Sequence, residues 1–375
     1  MIRQWLYDPP RWRAALWLGL VSSTFSTVVS SLIGARLGRD VAVDWMSVAA
    51  IPVRDAAFDL HPAAWAIAVG VLFHQWADFS WDLVFFGLLG RWTARLGPGP
   101  LLVVGVPWAV LTSTLEWLVL APLFPFRQPI FPLEPVYWLG LFVHLSSVAT
   151  WPLFPWLLDR ARGRRDPRHR RIALQWSGAA ALLSVVLVAG SVAGLAGHEP
   201  AWLGRDARFD QAFMRRMAAH HAQGVQLAAL AAQRAQDPHL RALARLMGAS
   251  QAGEIDIFRQ WWRGWFDGPL PEPTHDEMQA MPGMLGASQM AQLSAAAPAA
   301  FDRAFVEAMS FHHRGAIAMC NDAMAHASDP RLRAMAHAIR HAQTGEIALM
   351  HGIRPGMDVL RTALGSLLAP PGASP

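Results

Sequence analysis

Two clusters of donor side chains carry the chemistry that this sequence could do: Met217-x-x-His220-His221 and Met309-x-x-His312-His313. On a helix, side chains three and four apart are neighbours, so each cluster puts a thioether and two imidazoles on one face. In the second copy Met319 lies seven residues after His312, and Cys320 seven after His313, which extends the stripe. A further pattern, Gln251-x-x-Glu254 and Gln343-x-x-Glu346, adds carboxylates, with Met350 one turn beyond Glu346. Imidazole with thioether suits copper and favours Cu(I), whereas glutamate beside histidine also suits Cu(II) or Zn. A plainer reading stands beside this one. One histidine of each pair is a buried residue bonded to the glutamate, and methionines at helical spacing are core filler.

The elements that must position these groups are duplicated. Phe209-Asp210-x-x-Phe213-x-x-x-Met217-x-x-His220-His221 recurs as Phe301-Asp302-x-x-Phe305-x-x-x-Met309-x-x-His312-His313. Asp237-Pro238 recurs as Asp329-Pro330, and Gln251-x-x-Glu254-Ile255 as Gln343-x-x-Glu346-Ile347. Every pair is offset by 92 residues, and roughly 19 of 50 aligned positions are identical. Each copy reads as an antiparallel helical hairpin, with Asp237 or Asp329 as N-cap and the following proline at the first helical position. A lone hairpin leaves its apolar face in water, so the two copies (207–264 and 299–352) pack as a four-helix bundle spanning 205–352. In such hairpins the late positions of the second helix face the early positions of the first. Glu346 therefore approaches His312 or His313, and Glu254 approaches His220 or His221. The connection, 267–298, reads as a flexible string of soft donors: His275, Met278, Met281, Met284 and Met290. Residues 353–375 read as a flexible tail.

Residues from about 206 to 352 resemble the bacterial "domain of unknown function 305" family, whose fold is ferritin-like. The resemblance rests on Phe301, Asp302, Met309, His312, His313, Ala316, Ile317 and Met319, then Asp329-Pro330, then Gln343, Glu346, Ile347 and Met350. Family members include periplasmic copper-binding proteins linked to copper tolerance, so the resemblance implies copper. The first copy departs from the pattern: Gly224, Val225 and Leu227 replace Ala, Ile and Met, and Phe258 replaces the late Met. Its site is expected to be the weaker one. A ferritin-like bundle also invites a di-iron oxidase, but the one Glu-x-x-His match, Glu272 to His275, lies in a proline-rich connection rather than on a helix.

The N-terminal half is of another kind. Hydrophobic residues make up 53% of the chain and charged residues 16%, which is too apolar for an ordinary soluble protein. Five apolar spans of about 20 residues, the length that crosses a bilayer, lie near 14–35, 63–90, 100–120, 135–158 and 172–195. The first reads as a retained span, because no small-residue cleavage site follows it. Arginines crowd one set of connections: Arg3, Arg11 and Arg13; Arg91 and Arg95; and the run from Arg160 to Arg171. The opposite set holds Arg36, Arg39, Arg54 and Arg127. By the positive-inside rule the N-terminus is cytoplasmic and five spans carry the C-terminal domain outside, periplasmic in a Gram-negative bacterium. Within the spans, His74, Asp78 and Asp82 form one stripe, with Glu116 and His144 on later spans. They read either as a polar path or as interhelical hydrogen bonds.

The basic balance does not imply nucleic acid, since its densest run is wedged between apolar spans. With Cys320 alone, neither an internal disulfide nor a Cys-based zinc site forms. No phosphate-cradling loop, Gly-x-Ser-x-Gly or redox Cys pair is present, so no enzyme is expected. The sequence thus reads as all-α: a multi-span bilayer-embedded half (1–198) and an extracytoplasmic bundle that binds copper for tolerance. Metal-handling partner proteins remain unspecified. Two other readings stand: a metal transporter or permease with an outer capture domain, and a structural or sensory helical module without metal.

Overall fold

The computed structural model describes residues 8–59, 62–202, 207–266 and 268–370. Arg3, the first residues of the expected bundle (205–206) and the last five of the expected tail lie outside these. No strand occurs among the described residues. In chain order the main helices are α1 (Pro9–Arg36), α2 (Val41–Val53), α3 (Ala64–Asp82), α4 (Pro98–Leu115), α5 (Tyr137–Val148), α6 (Phe154–Ala161) and α7 (Pro167–Leu195). There follow α8 (Ala207–Arg234), α9 (Pro238–Trp265), α10 (His275–Gln279), α11 (Ala287–Ala295), α12 (Pro298–His326), α13 (Pro330–Met350) and α14 (Met357–Leu368). The chain divides into two compact units: Met1–Ile33, Val71–Trp117 and Tyr137–Ala189, then Gly34–Gly70, Leu118–Val136 and Gly190–Pro375.

The first unit holds most of the apolar half. Four helices are long and apolar enough to cross a membrane: Pro9–Arg36, Pro98–Leu120, Tyr137–Ala161 and Pro167–Leu195. The remaining expected span, 63–90, is helical as α3, continued by a π-helical turn over Leu83–Leu88. It is not among the four, because the His74, Asp78 and Asp82 stripe dilutes its apolar character. That stripe is well partnered. Ser26 Oγ donates to Asp78 Oδ2 at 2.7 Å and lies 3.3 Å from His74 Nε2. Ser22 bonds Asp82, whose other oxygen accepts from Trp151 Nε1 at 2.8 Å. Glu116 accepts from Trp81, and its Oε2 lies 3.0 Å from His144 Nε2, while His144 Nδ1 meets Thr112 at 2.9 Å. These groups tie helices to one another.

The second unit is built on the duplicated bundle. Each hairpin turns at an Asp-Pro: Asp237 accepts from His239 N and Asp329 from Arg331 N, both at 2.8 Å. The two hairpins then clasp each other. Asp302 accepts from the backbone of Gln236 at 2.8 Å, and Asp210 from that of Ser328 at 2.9 Å. The aspartate of each Phe-Asp motif thus holds the turn of the opposite hairpin, which explains why it recurs with the turn it binds. A buried Arg331 joins residues just before the bundle to it. Its guanidinium bonds Asp329 at 3.0 Å and the Pro200 carbonyl at 2.8 Å, lies 2.9 Å from Glu199, and stacks over Trp202 and Trp265 at 4.6 Å.

Three features depart from the sequence reading. The segment between the first two spans is no bare loop. Asp40 caps α2, and Val43, Met46 and Ala50 line one side of it and join the core formed by Leu243, Met247 and Phe301. The tail forms α14, because Val359 and Ala363 are spaced to enter the same core. The connection 267–298 is ordered rather than a free string. It forms α10 and α11, and Leu285 exchanges two hydrogen bonds with the Gln223 side chain at 2.7 and 2.9 Å. Met281 is buried there, while Met278 stays exposed.

Candidate metal centre

The first histidines of the two pairs meet at the middle of the bundle. The rings of His220 and His312 stack with centroids 3.8 Å apart and are fully buried. His312 Nε2 lies 2.9 Å from the carbonyl of His220, and His220 Nε2 lies 3.2 Å from that of Pro282. A carbonyl can only accept, so each Nε2 carries the proton and each Nδ1 keeps a lone pair in the neutral ring. Neither Nδ1 has a hydrogen-bond partner. Burial and the neighbouring imidazoles push His220 well below its ordinary value and His312 to about 3, so both rings are neutral. A neutral imidazole that donates one N–H to a carbonyl and offers the other nitrogen is the usual state of a metal-ligating histidine.

The second histidines face the glutamates. His221 Nε2 is 2.8 Å from Glu254 Oε2, and His313 Nε2 is 2.7 Å from Glu346 Oε2. Although these distances suit ion pairs, neither ring nitrogen of either histidine has a correctly directed hydrogen-bond partner. Burial also lowers His313 to about 3 and raises Glu346 well above the usual carboxylate range, with Glu254 adding to the rise. Burial thus disfavours the charged form of both partners in the His313–Glu346 contact. Both amide atoms of Gln251 and of Gln343 are likewise buried without partners. So many unsatisfied buried donors and acceptors on one motif call for an explanation. Copper fits it: His220, His312, His221 and His313 offer imidazole nitrogens, Glu254 and Glu346 offer oxygens.

The methionines do not gather as one set. Seven residues on a helix advance about 10 Å, while bonds from metal to nitrogen or sulfur are roughly 2.0–2.3 Å, so a shared face is not a shared site. Met309 and Met350 belong to one core cluster; Met217, Met319 and Cys320 belong to the other. Because α8 and α12 run in opposite directions, each cluster takes donors according to its level in the bundle. Met319 of the second copy thus sits with Met217 of the first. The departures of the first copy are divided between the two clusters, Leu227 in one and Phe258 in the other. Burial raises the Cys320 thiol well above its ordinary value, which keeps it protonated.

No three donor atoms from His, Cys, Asp or Glu in the bundle lie within 4.8 Å of one another among the described residues. Among the described residues the one such group is Asp159, Asp166 and His169 in the first unit. His169 Nδ1 is already paired with Asp159 at 2.6 Å, and the surrounding Arg160, Arg164 and Arg165 disfavour a cation.

The sequence reading missed Glu134, alone among prolines and apolar residues between the third and fourth spans. It is fully buried beside the bundle, and burial together with Glu346 raises it well above the usual carboxylate range. Its signal was a solitary acid in an apolar segment. The reading also passed over Gly253 and Gly345, which precede the two glutamates. A Cβ at Gly345 would strike the backbone of Leu133, and one at Gly253 would strike the Asp40 carboxylate. These glycines let the two inter-span segments lie directly against the helices that carry Glu254 and Glu346.

The lowered histidines set a pH dependence. Folded His312 stays neutral down to about 3 while the unfolded ring takes a proton near 6.5, so the unfolded state binds more protons between those values. Relative to His312→Gln, the metal-free protein is expected to lose stability as pH falls from about 6.5 towards 3. Thermal unfolding of both proteins at pH 7 and pH 5 checks this, and an unchanged difference between them rejects it.

The sequence profile of one family, the domain of unknown function DUF305, matches residues 210–354. A solved DUF305 fragment from Deinococcus radiodurans is 30% identical, over 41% of this chain and 97% of its own, with a TM-score of 0.36. The chain belongs to the DUF305 family. CopM in a Cu(I)-bound form is 29% identical, over 38% of this chain and 92% of its own, with a TM-score of 0.32. CopM in a Cu(II)-bound form is 28% identical, over 38% and 93%, with a TM-score of 0.33. No curated protein matches the chain. The DUF305 match spans both hairpins and leaves residues 1–209 outside it.

Proposed function

We propose that this protein is a membrane-anchored copper binder whose bundle lies outside the cytoplasm and serves copper tolerance or homeostasis. The observation that carries the reading is the stacked His220–His312 pair, with both Nδ1 lone pairs free and both Nε2 protons fixed by carbonyls. Nearby thioethers and neutral imidazoles favour Cu(I). The protein's own contribution is to hold the His220 and His312 rings in fixed tautomers away from water.

The anchoring has a topological argument. Residues 34–70 and 118–136 share a compact unit with the bundle, so all three lie on one side of the bilayer. Between those two segments the chain runs through α3 and α4. Since α4 crosses, α3 must cross as well, despite its polar stripe. An odd number of crossings, five, three and one, then separates the bundle from the three arginine-rich stretches, in keeping with the positive-inside rule. The hydrogen-bonded state of the intramembrane side chains favours an anchor over a transport path.

In detergent micelles the full chain is expected to compete for Cu(I) against a chelator of known affinity. Its thermal midpoint is expected to rise with copper, by the equivalent of about 2.7 kcal/mol at a hundredfold excess over Kd. A reporter that works only outside the cytoplasm, fused after residue 370, is expected to be active. Absence of Cu(I) binding ends the functional reading; an inactive reporter ends the outward placement.

A further inference from the structure

The arginine run between the last two spans is folded into a groove. α6 ends at Ala161, and Gly163, with φ 70°, turns the chain in the left-handed conformation that closes a helix C-terminus. The Arg164 N–H completes the cap by donating to the Asp159 carbonyl at 2.8 Å. The short connection 162–166 then leads into α7, which Trp176 Nε1 pins to the preceding span through the Ala149 carbonyl at 2.5 Å. Residues of α6, the connection and α7 line a groove of about 920 Å³. Its basic side is Arg160, Arg164, Arg165, Arg170 and Arg171; Trp156 and Leu174 give it an apolar side. Asp159 and Asp166 also line it, but both are engaged elsewhere. Asp159 is paired with His169 at 2.6 Å, and Asp166 accepts from the Arg168 backbone at 2.7 Å. Among the described residues no carboxylate pairs with any of the five arginines. Five arginines against two aspartates leave a surplus of three positive charges.

We infer that this groove binds an anionic phospholipid, with its phosphodiester held by the guanidinium groups and its acyl chains laid along α7. This rests on the membrane-spanning reading of the apolar half. α7 has 29 residues, roughly 43 Å of helix against a hydrocarbon core of roughly 30 Å, so its first turns stand at headgroup depth. Leu174, Leu182 and Val185 follow on one side of the helix and are 61%, 66% and 64% exposed, an apolar wall that continues the groove. Guanidinium matches phosphate oxygens with paired hydrogen bonds, and basic pockets between spans suit anionic headgroups. Orientation by the positive-inside rule counts charges only; it requires neither a walled groove nor carboxylates tied away from the arginines. A soluble anion would use the charges and leave the apolar side idle.

The test titrates the full chain in detergent micelles with phosphatidylglycerol and with phosphatidylcholine, read by native mass spectrometry. Wild type is expected to hold phosphatidylglycerol at least about tenfold more tightly. Arg164→Gln with Arg170→Gln is expected to lose about 25-fold, since one arginine near an anionic headgroup contributes roughly fivefold. The control, Arg162→Gln with Arg168→Gln, removes the same charge from the same stretch but outside the groove, and is expected to lose less than about threefold. Equal losses in the two pairs, or equal affinity for the two lipids, overturn the inference. So does glycerophosphoglycerol, the deacylated headgroup, if it competes as strongly as intact lipid, which would make this a site for a soluble anion. A chain that stays in solution without detergent overturns the membrane reading as well. A chain that needs detergent and prefers neither lipid overturns this inference alone.

Discussion

Changing His220 and His312 together to glutamine is expected to lower Cu(I) affinity by at least about a hundredfold, since loss of even an outer-shell partner costs about 10–100-fold. Glutamine is the informative replacement. Its amide N–H can still reach the carbonyls of His220 and Pro282, which accept from Nε2 at 2.9 and 3.2 Å. What it removes is the aromatic nitrogen lone pair on Nδ1. The fold should therefore survive while the chemistry is lost. Chelator competition measures the affinity, and the metal-free thermal midpoint reports the fold. If the double variant holds copper as tightly as wild type, the stacked pair is a structural contact and the copper centre lies elsewhere.

The second large effect concerns Arg331. Arg331→Met is expected to destabilise the bundle by about 3–5 kcal/mol, the scale of breaking a buried ion pair by removing one partner. The guanidinium is fully buried and serves Asp329, Glu199 and the Pro200 carbonyl at once. Methionine fills part of the space but leaves Asp329 without its cation, Glu199 with Arg36 alone, and the indoles of Trp202, Trp261 and Trp265 without the guanidinium over them. The control is Arg361→Met, whose bridge to Asp358 is largely exposed. That change should stay within about 0.5 kcal/mol, as surface substitutions do. Equilibrium unfolding of both variants decides the matter; similar small losses would show that Arg331 is held by packing and not by its charges.

The duplicated bundle was legible because its signals are local and repeated. The Phe-Asp, Met-x-x-His-His, Asp-Pro and Gln-x-x-Glu patterns each fix a position on a helix, and an offset of 92 fixes the copies to each other. Whether Glu346 met His312 or His313 depended on helix rotation, which periodicity leaves open within one turn; the structure pairs it with His313. The methionines were misread for a related reason. Positions 309 and 319 share a face, but facing is an angular property, and distance along the axis separates them. Glu134 and α2 were hidden for another reason. Their partners are more than a hundred residues away, and an apolar segment between spans looks the same whether it borders lipid or caps a core. The α14 tail shows this too, since Val359 and Ala363 gain their meaning from a core formed by other segments.

The reciprocal clasp of Asp210 and Asp302 bears on how such a protein could arise. Each hairpin supplies the aspartate that its neighbour's turn requires and receives one in return. Two separate copies of a single hairpin would satisfy the same bonds as a symmetric homodimer, related by a twofold axis through the His220–His312 stack. Joining them in one chain turns a concentration-dependent association into an intramolecular one. It also releases the copies from identity. One subunit's methionine could become Leu227 or Phe258 without the same change being forced on its twin. The bundle is in this sense a tethered dimer whose halves have been free to specialise.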